Sequence, residues 1–474
     1  MNSSERICCD VIVVGSGPAG QAAAMHAARA GKTVVLIEQE QGVGGACVHR
    51  GTIPSKTLRE TALTLVNFAR RTGGVFRLQN GEDLQVASLM TRKDAVIRTH
   101  AASIADHLQK DGVQSIHGRA RFTSPHDVQV VTVSRRVILV KGDVVVIAAG
   151  SRPRAPADVP VDHEHVLDSD SILSMIYLPQ TLTVLGGGVI ACEYASIFAA
   201  LGVKVTIIDR ADVPLKFLDP DLTSRFLRTF QTLGGRFIGG RAVKKVEWDG
   251  VQSVTAQLEG GIEVKSDKLL CCLGRIANVD DLDIGALGLK PNERGLISVD
   301  ENGRTAVPHV YAIGDVVGPP SLASTSADQG RRAICAAFGL KPTHAPETIP
   351  MGIYTIPEMA SVGLTEADAV AKYGAAIVGR ASFSELARGQ IAALDDGLLK
   401  LVCDPDGGKL LGVQIVGEGA SELIHVGQMA LIAGDDVDVF VDNTFNFPTL
   451  AEAYRVAALD VVWRRQRELT AAAH

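Results

Sequence analysis

The sequence predicts an α/β protein made of two parallel βαβ units and a distinct α+β region at its C-terminal end. Three observations carry this expectation. The chain opens with an apolar run (DVIVV, 10–14), a glycine-rich turn (GSGPAG), an alanine-rich stretch to Arg29 and a second apolar run at 33–38, the order strand, turn, helix, strand. That order returns 171 positions later: Gly15, Gly17, Gly20, Gly31 and Glu38 fall on Gly186, Gly188, Ala191, Gly202 and Asp209. After about residue 348 the pattern changes to strand-like segments with two helices and a polar tail expected to fray.

Composition bounds the rest. At roughly 100–200 residues per domain, 474 residues make two to four domains. Glycine stands at 48 residues, about one in ten against an average near 7%. It follows no three-residue repeat, so it marks tight turns and close backbone approaches rather than collagen or disorder. A net charge of −6, with Lys and Arg scattered, argues against a nucleic-acid partner. No stretch approaches 18 apolar residues, so no membrane span is expected. The first apolar run is too short for a signal peptide. Eight cysteines without zinc spacing point to a reduced, cytoplasmic setting. Asp162, His163, Glu164 and His165 cluster in a proline-rich stretch, and no metal site is expected there.

The first turn reads as a phosphate cradle. Gly15 permits the tight turn, Gly17 lets the backbone approach a pyrophosphate, and Gly20 allows close helix–strand packing. Pro18 and Ala19 open the helix, whose start offers N–H donors and the positive end of its dipole. Glu38, ending the second strand, is placed to accept hydrogen bonds from ribose hydroxyls. The second turn repeats this with Gly186, Gly188, Val189, Ile190 and Ala191, and with Asp209 as its acid. Asp209 favours a free ribose 2′-hydroxyl, whereas the adjacent Arg210 can pair with a 2′-phosphate. Both NAD(H) and NADP(H) therefore stay open. Both units are Rossmann-like.

The remaining elements follow in order. Residues 55–70 and 94–111 read as helices, and 127–150 as β-type runs ending at Gly150. Residues 151–165 are a candidate boundary. Short strands fill 236–273, TAVPHVYAIGD (305–315) is another strand and turn, and 322–338 is a helix.

The segment VGGACVHRGTIPSK (43–56) resembles the redox-active segment of the pyridine nucleotide–disulfide oxidoreductases, which carries GGxCxxxGCxP. Gly44, Gly45, Cys47, Gly51, Ile53 and Pro54 fit; Thr52 stands where that family has its second cysteine. The resemblance covers nearly the whole chain. It implies an FAD domain at 1–155 and 280–347, an NAD(P) domain at 156–279, and a dimerisation domain at 348–474. It implies FAD-binding roles for Gly314 and Asp315, and places Gly45, Cys47, Gly150 and Gly274 among the cofactor-binding residues. Lys56 and Glu193 match the family's ion pair beside the flavin. Thr52 forms no disulfide, so Cys47 is expected to be a packing residue rather than a nucleophile. Near the end, NTFNFPTLAEAYRVAALD (443–460) has Phe447 before Pro448 where the family's acid–base histidine stands, while Glu452 remains.

The two losses agree. Disulfide reduction needs a thiol pair and a proton carrier, and passing hydride between nicotinamides needs neither. The pattern is similar to the soluble (Si-specific) pyridine nucleotide transhydrogenase group of that family. That group implies ping-pong transfer between NAD(H) and NADP(H) through FAD, in a homodimer or a larger homo-oligomer. A diaphorase or quinone reductase, a disulfide reductase and a catalytically silent redox-sensing flavoprotein remain alternatives.

Overall fold

The computed structural model describes residues 5–72, 86–341 and 348–472. The chain groups into two compact units, one of 1–57, 88–154 and 273–345, the other of 58–87, 155–272 and 346–474.

The first unit is built on one sheet. Strand Glu5–Val14 runs parallel to Val34–Glu38 on one side and to Val137–Ile147 on the other. Val310–Ala312 extends the parallel part along 145–147, and 114–117 extends it at the other edge. Residues 118–122, 127–131 and 137–141 form an antiparallel meander, so Gln114–Phe122 and Val137–Ile147 each serve both arrangements. Strand residues alternate between two cores. Val11 and Val13 pack with Ala23, Ala27, Leu36 and Ile334, while Ile12 and Val14 pack with Val35, Ile37, Val128 and Leu282. Helix Pro18–Arg29 starts on a proline whose missing N–H costs nothing there, and it packs against helix Ala323–Phe338. Their crossing is close, because a Cβ on Gly330 would stand 2.3 Å from the Ala19 carbonyl.

The second unit holds two five-stranded sheets and a three-stranded antiparallel ribbon. The parallel sheet takes Thr181–Leu185 at its centre, with Lys204–Ile208 and Lys268–Cys271 beside it. The antiparallel sheet takes strands from 351 to 416 and is covered by helices Ala420–Ala433 and Glu452–Ala472. A charge cluster around buried Lys400 ties the antiparallel sheet to the start of helix Pro220–Thr232. Lys400 Nζ lies 2.9–3.0 Å from both Asp219 oxygens, 2.9 Å from Asp221 and 2.6 Å from Glu366. Burial alone would push the Lys400 ammonium down; the hydrogen bonds to Glu366, Asp219 and Asp221 outweigh it and hold it above the ordinary lysine range.

Several expectations change. The helix expected at 94–111 begins earlier, as Val86–Lys110, and Gln114–Phe122 is a strand that sequence reading missed. Among the described residues five helices, not two, follow residue 348, and helix Glu452–Ala472 takes in residues expected to form the polar tail. Its middle carries Trp463, Arg464 and Arg465, and Arg465 pairs with Asp438 at 3.0 Å. Among the described residues no helix is long and apolar enough to cross a membrane, and no three His, Cys, Asp or Glu side chains converge on a metal site. Asp162 instead takes three backbone N–H groups, from Glu164, His165 and Val166.

Candidate active site

The first glycine turn is packed on one side and open on the other. Gly15 has φ +102°, and a Cβ there would stand 2.3 Å from the Ala148 carbonyl oxygen. A Cβ on Gly20 would stand 1.9 Å from the Gly15 oxygen. At Gly17 it would meet no atom within 4 Å. Helix Pro18–Arg29 begins at this open glycine, where first-turn N–H groups lack intrahelical acceptors. The acid closes the turn: Glu38 Oε2 accepts from the Ser16 N–H (2.9 Å) and hydroxyl (2.6 Å), and Oε1 accepts from the Glu40 N–H (2.9 Å). The Ser16 hydroxyl also accepts from the Gly44 N–H at 3.0 Å. Gly45 lies against the turn, its virtual Cβ 2.7 Å from Gly17 Cα. The glycine turn, its acid Glu38 and the segment carrying Cys47 are thus tied by one hydroxyl.

The second turn reproduces these bonds at the same displacement. Gly15 N–H donates to the Ile37 carbonyl at 2.8 Å, and Gly186 N–H donates to that of Ile208 at 2.8 Å. Asp209 accepts from the Gly187 N–H and, at 2.6 Å, from the Ala211 N–H, as Glu38 does from Ser16 and Glu40. Gly188 is open like Gly17. Val189, Ile190 and Ala191 form the first turn of helix Val189–Ala200, with Ala191 fully buried. Arg210 is exposed, and among the described residues it has no ion-pair partner.

Around Cys47 the first unit gathers Thr52, Lys56 and Asp315. Helix Thr52–Thr72 starts on Thr52, three residues earlier than expected. Burial pushes the Cys47 thiol above the ordinary thiol range; a hydrogen bond with Thr52 and the charge of Lys56 oppose this without cancelling it, and Asp315 adds to the push. Asp315 is itself held, accepting from the Ser151 hydroxyl at 2.7 Å, and Arg275 Nε donates to that hydroxyl at 2.8 Å. Gly314 N–H donates to Gln329, and its virtual Cβ lies 3.1 Å from Ala19 Cβ, so this turn sits against the first helix. Gly150 (φ +69°) and Gly274 (φ +105°) lead into the paired strands Ser151–Pro153 and Arg275–Ala277.

Three predicted residues belong to the second unit. Glu193 is buried, and its Oε1 accepts from the Tyr354 N–H at 2.8 Å. Phe447 is 69% exposed before cis-Pro448. Glu452 begins its helix and accepts from the Thr449 N–H at 3.3 Å, so it caps that helix. Sequence reading missed Ser16, Ser151, Arg275 and Gln329. Only Ser16 carried a signal, a hydroxyl inside the glycine turn.

Two open glycine cradles, each with a carboxylate closing its turn, and a lone protonated thiol define a two-nucleotide oxidoreductase fold with its thiol pair interrupted. The family model described as pyridine nucleotide-disulphide oxidoreductase matches residues 9–330, and its dimerisation domain matches 349–458. The soluble pyridine nucleotide transhydrogenase of Mycobacterium tuberculosis is 42% identical over 96% of this chain and 97% of its own length. That of Vibrio atlanticus is 42% identical over 95% and 97%. Among solved structures, LpdA from Mycobacterium tuberculosis superposes with a TM-score of 0.87 at 27% identity, covering 95% of this chain and 99% of that one. The HOCl-induced flavoprotein disulfide reductase RclA from Escherichia coli gives 0.85 at 26% identity, with 95% and 99% covered. The chain belongs to the pyridine nucleotide-disulphide oxidoreductase family. It is an oxidoreductase of the FAD- and NAD(P)-binding kind, and its dimerisation domain fits a homodimer.

Proposed function

We propose that this chain is an FAD-dependent transhydrogenase moving hydride between NAD(H) and NADP(H), working as a cytoplasmic homodimer. One observation carries the reading: Thr52 stands where a thiol pair needs its second sulfur, and burial keeps the remaining Cys47 thiol protonated. The name shared by relatives 42% identical over 95–96% of the chain supports it. FAD, when bound, supplies a carrier that takes a hydride from one nicotinamide and returns it to another, so no thiol relay is needed.

The chain's residues bind and orient. The open Gly17 and the start of helix Pro18–Arg29 hold the FAD pyrophosphate, Glu38 its ribose, and Gly314–Asp315 its linking chain. Gly45, Cys47, Gly150 and Gly274 shape the surrounding walls. The Gly186–Ala191 turn holds the pyrophosphate of either nicotinamide nucleotide, Asp209 a free ribose hydroxyl, and Arg210 a 2′-phosphate. Lys56 in the first unit and Glu193 in the second are each carried over, from the family pattern, as charged residues for hydride transfer. Thr52 holds the Cys47 thiol by its hydroxyl, and Glu452 fixes the helix behind Phe447. Phe447 has no proton to trade. On this reading 1–155 with 280–347 bind FAD, 156–279 bind NAD(P), and 348–474 form the dimer interface.

The test is turnover of NADPH with a thio-nicotinamide analogue of NAD, on protein checked for bound FAD. The proposal expects rapid analogue reduction and slow turnover with quinones. Negligible analogue reduction beside fast quinone turnover would replace it with a diaphorase. Rapid reoxidation of the NADH-reduced protein by a disulfide would restore a disulfide reductase.

A further inference from the structure

Helix Val189–Ala200 does more than open at a phosphate turn. Three residues apart on it, Glu193 and Ser196 accept hydrogen bonds from two N–H groups of the turn that follows strand Met351–Ile353: Tyr354 N–H to Glu193 Oε1 at 2.8 Å, and Ile356 N–H to Ser196 Oγ at 3.1 Å. Residues three apart share a helix face, so the two acceptors meet the two donors of this one turn together. The Ser196 hydroxyl proton is already committed, donating to the Glu193 carbonyl at 2.9 Å, which leaves its lone pairs to Ile356. Ser196 and Thr355 are 0% exposed, so water is excluded from these bonds.

The segment is gripped from its other side as well. Arg59 donates to the Thr355 carbonyl at 3.1 Å and to Glu358 at 2.9 Å, and Glu358 accepts from the Ser421 N–H and hydroxyl at 2.6 Å each. The Tyr354 and Ile356 N–H groups, the Thr355 carbonyl and the Glu358 carboxylate are thereby committed to one arrangement.

We infer that Ser196 is a positioning residue for hydride transfer: with Glu193 it locks Tyr354–Ile356 in register on the helix that starts at the nucleotide turn. The inference rests on the reading of Gly186–Ala191 as the nicotinamide nucleotide site. Ser196 lies beyond the Gly186–Ala191 turn and bonds to Ile356 and the Glu193 carbonyl rather than to the turn, so its loss is expected to spare nucleotide affinity. Transfer depends on sub-ångström placement, and Ser196 supplies part of it.

The experiment compares wild type, Ser196→Ala and Ser196→Thr as purified FAD-loaded proteins. Anaerobic stopped-flow gives the NADH dissociation constant and the limiting rate of flavin reduction; amide hydrogen exchange reports on 354–356. Ser196→Ala is expected to keep the dissociation constant within about twofold and to slow reduction about tenfold. The amide at Ile356 should exchange at least about tenfold faster. Ser196→Thr, which retains the hydroxyl, should recover both. Faster exchange with an unchanged reduction rate would overturn the proposal and leave Ser196 purely structural. A weakened dissociation constant with an unchanged limiting rate would also overturn it. Flavin reduction is read without any second nucleotide, so failure of the transhydrogenase reading appears separately, as absent transfer to the analogue.

Discussion

The two glycine turns share a backbone but not a lock. In the first, the acid takes three hydrogen bonds, one from the Ser16 hydroxyl, and Glu38 is only 9% exposed. That hydroxyl also holds Gly44, and Gly45 closes over Gly17. In the second, Gly187 brings no hydroxyl, Asp209 is less buried, and exposed Arg210 stands beside it. The third glycine differs too: Gly20 has no room for a methyl group, whereas Ala191 carries one at 0% exposure. On the proposed reading, the contrast separates a turn built to keep its nucleotide from one built to exchange it. A resident group gains from every bond sealed around it, whereas a substrate that must leave gains nothing from retention.

The largest expected effect breaks the first turn. Gly20→Ala forces a Cβ to within 1.9 Å of the Gly15 oxygen, so the protein should purify largely without yellow colour. The reciprocal Ala191→Gly should cost only about 1 kcal/mol of helix propensity and leave nucleotide KM within about twofold. Equal flavin content in Gly20→Ala and wild type would erase the distinction between the turns.

Of intermediate size is the acid swap. Asp209→Ala removes a ribose acceptor and an anion beside Arg210. The ratio of kcat/KM for NADH over NADPH should fall about tenfold, since one charge-assisted hydrogen bond is worth about 1.5–3 kcal/mol. Glu38→Ala should leave that ratio alone and lower FAD content instead. An unchanged ratio in Asp209→Ala would remove the ribose assignment.

The smallest effects concern thiols. Cys47, beside the first turn, and Cys192, whose Sγ lies 3.5 Å from the Gly187 carbonyl, are both pushed upward by burial. A raised thiol stays protonated at neutral pH and becomes nucleophilic only as pH climbs. Alkylation by iodoacetamide should therefore be slow at pH 7 and rise toward alkaline pH, with half-buried Cys47 ahead of fully buried Cys192; mass spectrometry of the labelled sites checks the order. Cys47→Ser should change nucleotide-to-nucleotide transfer by no more than about twofold. A collapse with FAD still bound would make the thiol a participant.

How much of this was legible in the sequence depends on chain distance. Both turns, both acids and the losses at Thr52 and Phe447 lie in short continuous motifs, and the backbone bonds around them are fixed by local geometry. Ser196–Ile356 and Ser151–Asp315 join residues 160 and 164 positions apart, and nothing local announces them. Ser196 reads as an ordinary helical serine until Ile356 arrives. Gln114–Phe122 hid for another reason: its exposed face is polar and carries His117, Arg119 and Arg121, so only four alternate residues show the buried stripe. The last helix looked like a loose tail because Arg464 and Arg465 are paired with Asp460 and Asp438, acids that a composition count treats as solvent-facing.

The Lys400 cluster has a consequence for salt. Its Nζ meets Asp219, Asp221 and Glu366 with Lys400 at 2% and Asp219 at 0% exposure. Mobile ions reach about 8 Å into the field of surface charges at physiological strength, but they do not enter a packed interior. Surface pairs such as Lys110–Asp106 fade as ionic strength rises, whereas the Lys400–Asp219 pair, closed to solvent on both sides, keeps its strength.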